Sequence, residues 1–117
     1  MFTVYAAVTA IAIAANLGIA AADFARAPFV LANSAEVRMP PRLLPVVAVL
    51  KVAGAAGLLI GLLGVRWVGV AAALGLTLFF VCALAAHVRA RVFHNIAFPG
   101  MYFAVAAAAL GLGLARL

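Results

Sequence analysis

The chain has 117 residues, 71% of them hydrophobic and 9% charged, with a mean hydropathy of +1.36, which excludes an ordinary soluble domain of this length. Its formal charge of +6, from eight Lys and Arg against two acids, would suggest nucleic acid as the partner of a soluble protein. Here the basic residues fall between apolar stretches and form no contiguous basic surface with exposed aromatics. Nucleic acid is therefore set aside, and the charges read as topology signals and contacts to anionic lipid head groups.

Four apolar stretches of about 20 residues follow one another, the length that crosses roughly 30 Å of hydrocarbon. The first is predicted as a helix over about Phe2 to Phe24. Small residues at Ala20-Ala21-Ala22 raise the question of signal-peptide cleavage, but Met1-Phe2-Thr3-Val4-Tyr5 has no basic side chain, so the segment is expected to be retained. Two patterns run along it. Tyr5, Thr9, Asn16 and Asp23 recur at spacings of four, seven and seven, a narrow stripe expected to face the interior of a bundle. Ala6, Ala10, Ala14, Gly18 and Ala22 form a ridge of small residues at spacing four, a candidate helix contact because close packing supplies much of the attraction between helices in lipid.

The next stretch, from Asp23 through Arg26, Pro28, Asn33, Ser34, Glu36 and Arg38 to Pro40 and Pro41, is the longest polar segment and is expected to carry a short interfacial turn or helix. The second spanning helix is predicted over about Pro41 to Gly64, with Pro41 at its first position. Ala53, Gly57 and Gly61 form a second small-residue ridge. Lys51 lies within two residues of the middle of this helix, where a lysine costs about 2.5–3.5 kcal/mol on insertion scales. Its depth is too great for snorkelling alone to explain.

Only Val65 and Arg66 follow Gly64 before the third helix, predicted over about Trp67 to Val88, so the two helices must be antiparallel neighbours, with Gly64 free to supply a left-handed cap. Cys82, the single cysteine, cannot form an internal disulfide or a Cys-x-x-Cys pair and reads as a small apolar packing residue. Phe79, Phe80 and Trp67 read as core or lipid-facing side chains. The helix closes on His87, Arg89 and Arg91, with His94 and Asn95 just beyond. The fourth helix is predicted over about Ile96 to Ala115, with Asn95 as N-cap and Pro99 in the tolerant first turn.

The expected architecture is all-α, an integral membrane up-and-down four-helix bundle in a single transmembrane domain spanning 1–117. Arg26, Arg38, Arg42, Arg89 and Arg91 fall on one face and Arg66 and Arg116 on the other, which points to a cytoplasmic location for the larger loops and both termini outside. Most of these arginines read as interface anchors. With antiparallel neighbours, Asp23, His87 and Tyr102 share one end of the bundle, and a polar vestibule leading to Lys51 is expected there. The predicted pocket comprises Asn16, Asp23, Lys51, His87 and Tyr102, with a Lys51–Asn16–Asp23 network at its centre. Lys51, His87 and Asp23 are its candidate acid and base groups. A purely structural Lys51–Asp23 pair and an interfacial His87 are the competing reading. No metal-ligand spacing, phosphate loop or nucleophilic triad is present in the sequence.

The run Leu50-Lys51-Val52-Ala53-Gly54-Ala55-Ala56-Gly57-Leu58-Leu59-Ile60-Gly61 resembles the second-helix signature of the DoxX-like proteins. Val70-Ala71-Ala72-Ala73-Leu74-Gly75-Leu76 and Ala86-His87-Val88-Arg89 are also similar to that family's third helix. The resemblance covers most of the chain. It implies a four-helix protein of the bacterial cytoplasmic membrane, from a family loosely tied to quinone-linked or other membrane redox systems, with Lys51 and His87 at the family's polar positions.

Three functions are compatible with these readings. The chain holds a lipophilic small molecule such as a quinone, as accessory subunit of a membrane redox system. It is an acid/base enzyme of isomerase or cyclase type on an isoprenoid or other apolar substrate. Or it is a structural subunit, packed in the bilayer against other membrane subunits or copies of itself. A cation antiporter is disfavoured, since such carriers place a carboxylate deep in the first helix and this chain has Asn16 there.

Overall fold

The computed structural model describes all residues, Met1–Leu117. Five α-helices follow one another, α1 (Phe2–Phe24), α2 (Pro28–Glu36), α3 (Leu44–Leu62), α4 (Arg66–Arg89) and α5 (Ala97–Ala115), with a 3-10 turn at Pro41–Leu43 leading into α3. Four are long and apolar enough to cross a membrane, α3 being counted with its leading turn. At 1.5 Å per residue the shortest span, 19 residues, reaches about 28 Å, close to the hydrocarbon thickness. The spanning helices close a ring in which α1 packs on α3, α3 on α4, α4 on α5 and α5 back on α1.

The bundle has large apolar side chains on its outside and polar ones within. Leu63 and Trp67 are 78% and 72% exposed, whereas Thr9, Asn16, Asp23, Lys51 and His87 are 0%, 2%, 4%, 8% and 3% exposed. Water would enforce the reverse; a hydrocarbon solvent permits this arrangement because apolar groups cost nothing at the lipid surface and polar ones find partners only inside. Between them, Ala12, Leu58, Ala73, Leu76, Phe80, Ala106 and Ala109 form the apolar core. Phe80 stacks at 5.3 Å on Tyr102 and edge-on at 5.0 Å against the half-buried Phe79.

On α1 the polar stripe points inward, since Tyr5, Thr9, Asn16 and Asp23 are all buried. The small-residue ridge does not make a helix contact. Ala10, Ala14 and Gly18 are exposed, and a Cβ added at Gly18 would meet nothing within 4 Å. At about 100° per residue the ridge lies roughly opposite the polar stripe, so burying one exposes the other, and leaving four polar groups in lipid would cost far more than leaving alanines there.

On α3 the ridge does pack, with one change. A Cβ on Gly57 would come within 2.6 Å of the Ala72 Cβ, and one on Gly61 would collide with the backbone of Gly69. Ala53 is exposed, and Gly54, against Leu76, takes its place in the seam. Steps of three and four residues keep a seam on one face of a bundle helix, whereas steps of four alone drift off it.

The first turn of the second span tightens to 3-10 because Pro45 lacks the N–H that an α-helix beginning at Pro41 would need there. Asn95 does not cap α5. Ile96 occupies the cap position without a side-chain bond, and the Asn95 amide is engaged elsewhere. Cys82 is on the outer surface rather than packed in the core.

Four helix ends share one closing geometry. Ala27 N–H bonds the Ala22 carbonyl, Met39 that of Ser34, Val65 that of Ile60 and Val92 that of His87, each with a second bond inside it, the double closure of a left-handed C-terminal turn. Gly64 fills that turn between α3 and α4 with φ +130, but Arg26, Arg38 and Arg91 fill the others with φ 52, 64 and 59. A side chain in this region costs about 1–2 kcal/mol. Arg91→Gly is therefore expected to stabilise the protein by roughly 1 kcal/mol in a thermal melt in detergent, and Arg91→Val to destabilise it.

Candidate functional site

The α1 C-terminus, the α3 N-terminal half, the α4 C-terminus and the α5 N-terminus meet at one end of the bundle. A cavity of about 520 Å³ lies there. Asp23 at the end of α1 and Lys51 two turns into α3 join across it, Nζ to Oδ2 2.7 Å. The two residues are 28 positions apart with the whole loop between them, so the pair ties α1 to α3, and both groups are buried, where either charge alone would be costly. The Phe79 ring on α4 lies 5.5 Å from Nζ, giving the ammonium a second favourable neighbour.

Of the five predicted pocket residues, Asp23, Lys51, His87 and Tyr102 line the cavity. Asn16 does not. Its amide donates to the Ala12 carbonyl at 2.9 Å, so the Lys51–Asn16–Asp23 network reduces to the Lys51–Asp23 pair. Asn16 and Asp23 are seven residues apart, about 10 Å along the helix, too far for one ammonium to bridge. Tyr102 donates to the Ala15 carbonyl at 3.2 Å, fastening α5 to α1 beside the cavity. His87 Nδ1 lies 2.9 Å from the Ala83 carbonyl, while its Nε2 is buried without a partner.

The roof was not visible in the sequence. Helix α2 contributes Phe29, Val30, Asn33 and Ser34 to the lining, and the segment after it Arg38 and Met39. It is latched to the loop between α4 and α5 by Glu36–His94 at 2.6 Å and by Asn95 Nδ2 donating to Asn33 Oδ1 at 2.9 Å. The short interfacial turn or helix expected in this segment is α2, but its place over the cavity was foreshadowed only by an acid and a histidine in two loops assigned to one face. His94 and Glu36 are exposed, so that pair contributes below about 1 kcal/mol and fixes geometry more than stability.

The wall is mostly apolar, with Leu44, Val47, Phe80 and Phe98 among its residues. Cys82 belongs to this wall although it is exposed on the bundle surface, and it lies seven residues, about 10 Å, inside the end of α4. Cys82 is thus a wall residue that also shows on the outer surface of α4.

Four helices of spanning length around a mostly apolar cavity with an ion pair and a histidine in its lining define the fold of a multi-pass membrane protein. The model of the DoxX-like family matches residues 7–109, and the chain belongs to that family. No curated protein and no solved structure matches it significantly.

Proposed function

We propose that the chain, a single transmembrane domain, binds a lipophilic small molecule in this cavity, its polar head against Lys51, Asp23 and His87 and its apolar body along Phe79, Phe80 and Val47. The observation that carries this reading is a cavity of about 520 Å³ in which a few polar groups converge on an apolar wall, the usual make-up of a small-molecule site. A quinone-like molecule would suit the size and apolar wall of the cavity, and the role proposed for the chain is that of an accessory subunit of a membrane redox system.

The proposed setting is the bacterial cytoplasmic membrane, with the roofed end of the bundle in the cytoplasm. Arg26, Arg38, Arg42, Arg89 and Arg91 lie at that end, against Arg66 and Arg116 at the other. The test of binding is native mass spectrometry of protein extracted gently from its own membrane. A retained small molecule is expected in the wild type and should be absent from both Lys51→Met and the charge-free pair Asp23→Leu with Lys51→Met. Retention in all three would refute the site, and no molecule in any of them would favour a structural subunit.

Acid/base catalysis is the second reading, favoured by one feature. A buried histidine nitrogen without a hydrogen-bond partner, on a residue that lines the cavity, is a serviceable proton acceptor. Normal turnover of a candidate isoprenoid by His87→Ala would remove its basis.

A further inference from the structure

The charges around the cavity do not balance. Lys51, Arg38 and Arg89 line it, against Asp23 as the sole carboxylate. Lys51 holds Asp23 at 2.7 Å, and the chain's other acid, Glu36, is held by the exposed His94. No side-chain carboxylate is left for Arg38 or Arg89, the two of the five arginines at this end that belong to the lining. Their guanidinium groups stay charged at any ordinary pH. Asn33 adds to them, since its Oδ1 already accepts from Asn95 and its amide N–H groups are left to donate. To a head group the wall therefore offers donors and an excess of positive charge.

That excess lies at one end of the wall. Arg38 follows α2 in the roof and Arg89 is the last residue of α4, whereas the α4 lining runs inward through Ala86 and Ala83 to Phe79, about 15 Å along the helix axis from Arg89. Charge at the end and apolar wall further in match the polarity of an amphiphile. A quinone's carbonyls would accept from the donors and leave the positive excess unbalanced. A carboxylate or phosphate does both, and its paired oxygens suit the planar fork of an arginine. Asp23 opposes such an anion little, because Lys51 already neutralises it. We infer that the ligand is an anionic amphiphile, a carboxylate or phosphate on an apolar chain, with its head at the Arg38 and Arg89 end of the cavity and its chain directed inward. This rests on the cavity being a ligand site and adds the charge of the head group and the end that takes it.

Three probes with one chain and different heads test it: tetradecanoate, tetradecyl phosphate and tetradecanol. Each is titrated into the purified full-length chain in a non-ionic detergent at about pH 8, where both acids are ionised, and bound probe is read by native mass spectrometry. The better anion is expected to bind the wild type about tenfold or more tightly than the alcohol, the scale of a hydrogen bond to a charged group, and its identity names the head as carboxylate or phosphate. Arg38→Gln with Arg89→Gln should cut that preference to about twofold or less. Arg42→Gln with Arg91→Gln removes the same charge from the same end of the bundle but outside the lining, and should keep most of it. Equal binding of anions and alcohol by the wild type would overturn the inference. So would an equal loss of preference in the two double variants, which would reduce it to attraction by the basic face. If anions and alcohol bind equally but all are lost in the charge-free pair, the charge requirement fails and the cavity reading stands. If no probe binds and native mass spectra show no retained molecule, both fail.

Discussion

Asp23→Leu alone is expected to destabilise the bundle by about 3–5 kcal/mol, and adding Lys51→Met to it is expected to restore most of that loss. The single substitution leaves a buried ammonium without the carboxylate 2.7 Å away. The Phe79 ring at 5.5 Å then remains as its only described favourable contact, worth at most about 2 kcal/mol. The double substitution removes both charges and fills their volumes with apolar atoms, an exchange that is often neutral or stabilising for a buried pair. Equilibrium unfolding in mixed micelles, read by circular dichroism, gives all three values. Equal losses in the single and double variants would show that the pair is not energetically coupled. A double variant that is stable yet empty in native mass spectra would separate the two roles of these residues, since ion pairing would then be dispensable for folding and required for binding.

Gly61→Leu is expected to cost about 3 kcal/mol or more and Gly18→Leu less than about 0.5 kcal/mol, although both place a leucine in a spanning helix. At Gly61 even a Cβ collides with the Gly69 backbone, and a Cβ on Gly69 would reach 2.9 Å from the Gly61 Cα. Backbone cannot step aside as a side chain can, so α3 and α4 must separate along their length and lose the contacts that lipid does not replace. At Gly18 nothing lies within 4 Å, and the new side chain enters lipid. The same melts measure both. Similar losses at the two positions would mean that the outward face of α1 is covered in the membrane, and no loss at Gly61 would contradict the close α3–α4 crossing.

How far the site was legible depended on how local each feature was. The meeting of Lys51 with Asp23 could be read from helix depth and from the inward stripe on α1, because both follow from a 3.6-residue period and a fixed rise. The exclusion of Asn16 could not, since it turns on a competing bond to its own helix at Ala12. The choice between two stripes on α1, one small and one polar, was legible in principle, because they lie on opposite faces and the cost of polar groups in lipid turns the polar one inward. Helix α2 as a roof was beyond reach, because its latches join residues 58 and 62 positions apart and depend on the path of two loops.

By itself the sequence determined the membrane as solvent, the number of spans, the tight α3–α4 turn at Gly64 and the end of the bundle where the polar residues gather. Hydropathy summed over contiguous residues and helical periodicity are sufficient for these. The tertiary structure alone decided that Gly54 rather than Ala53 joins the α3 seam, where the Asn16 and Asn95 amides bond, how the cavity is roofed and which nitrogen of His87 is left without a partner. Each of these is a choice between competing partners, and such choices are resolved only when helix phases and loop paths have placed the atoms within hydrogen-bonding or van der Waals distance.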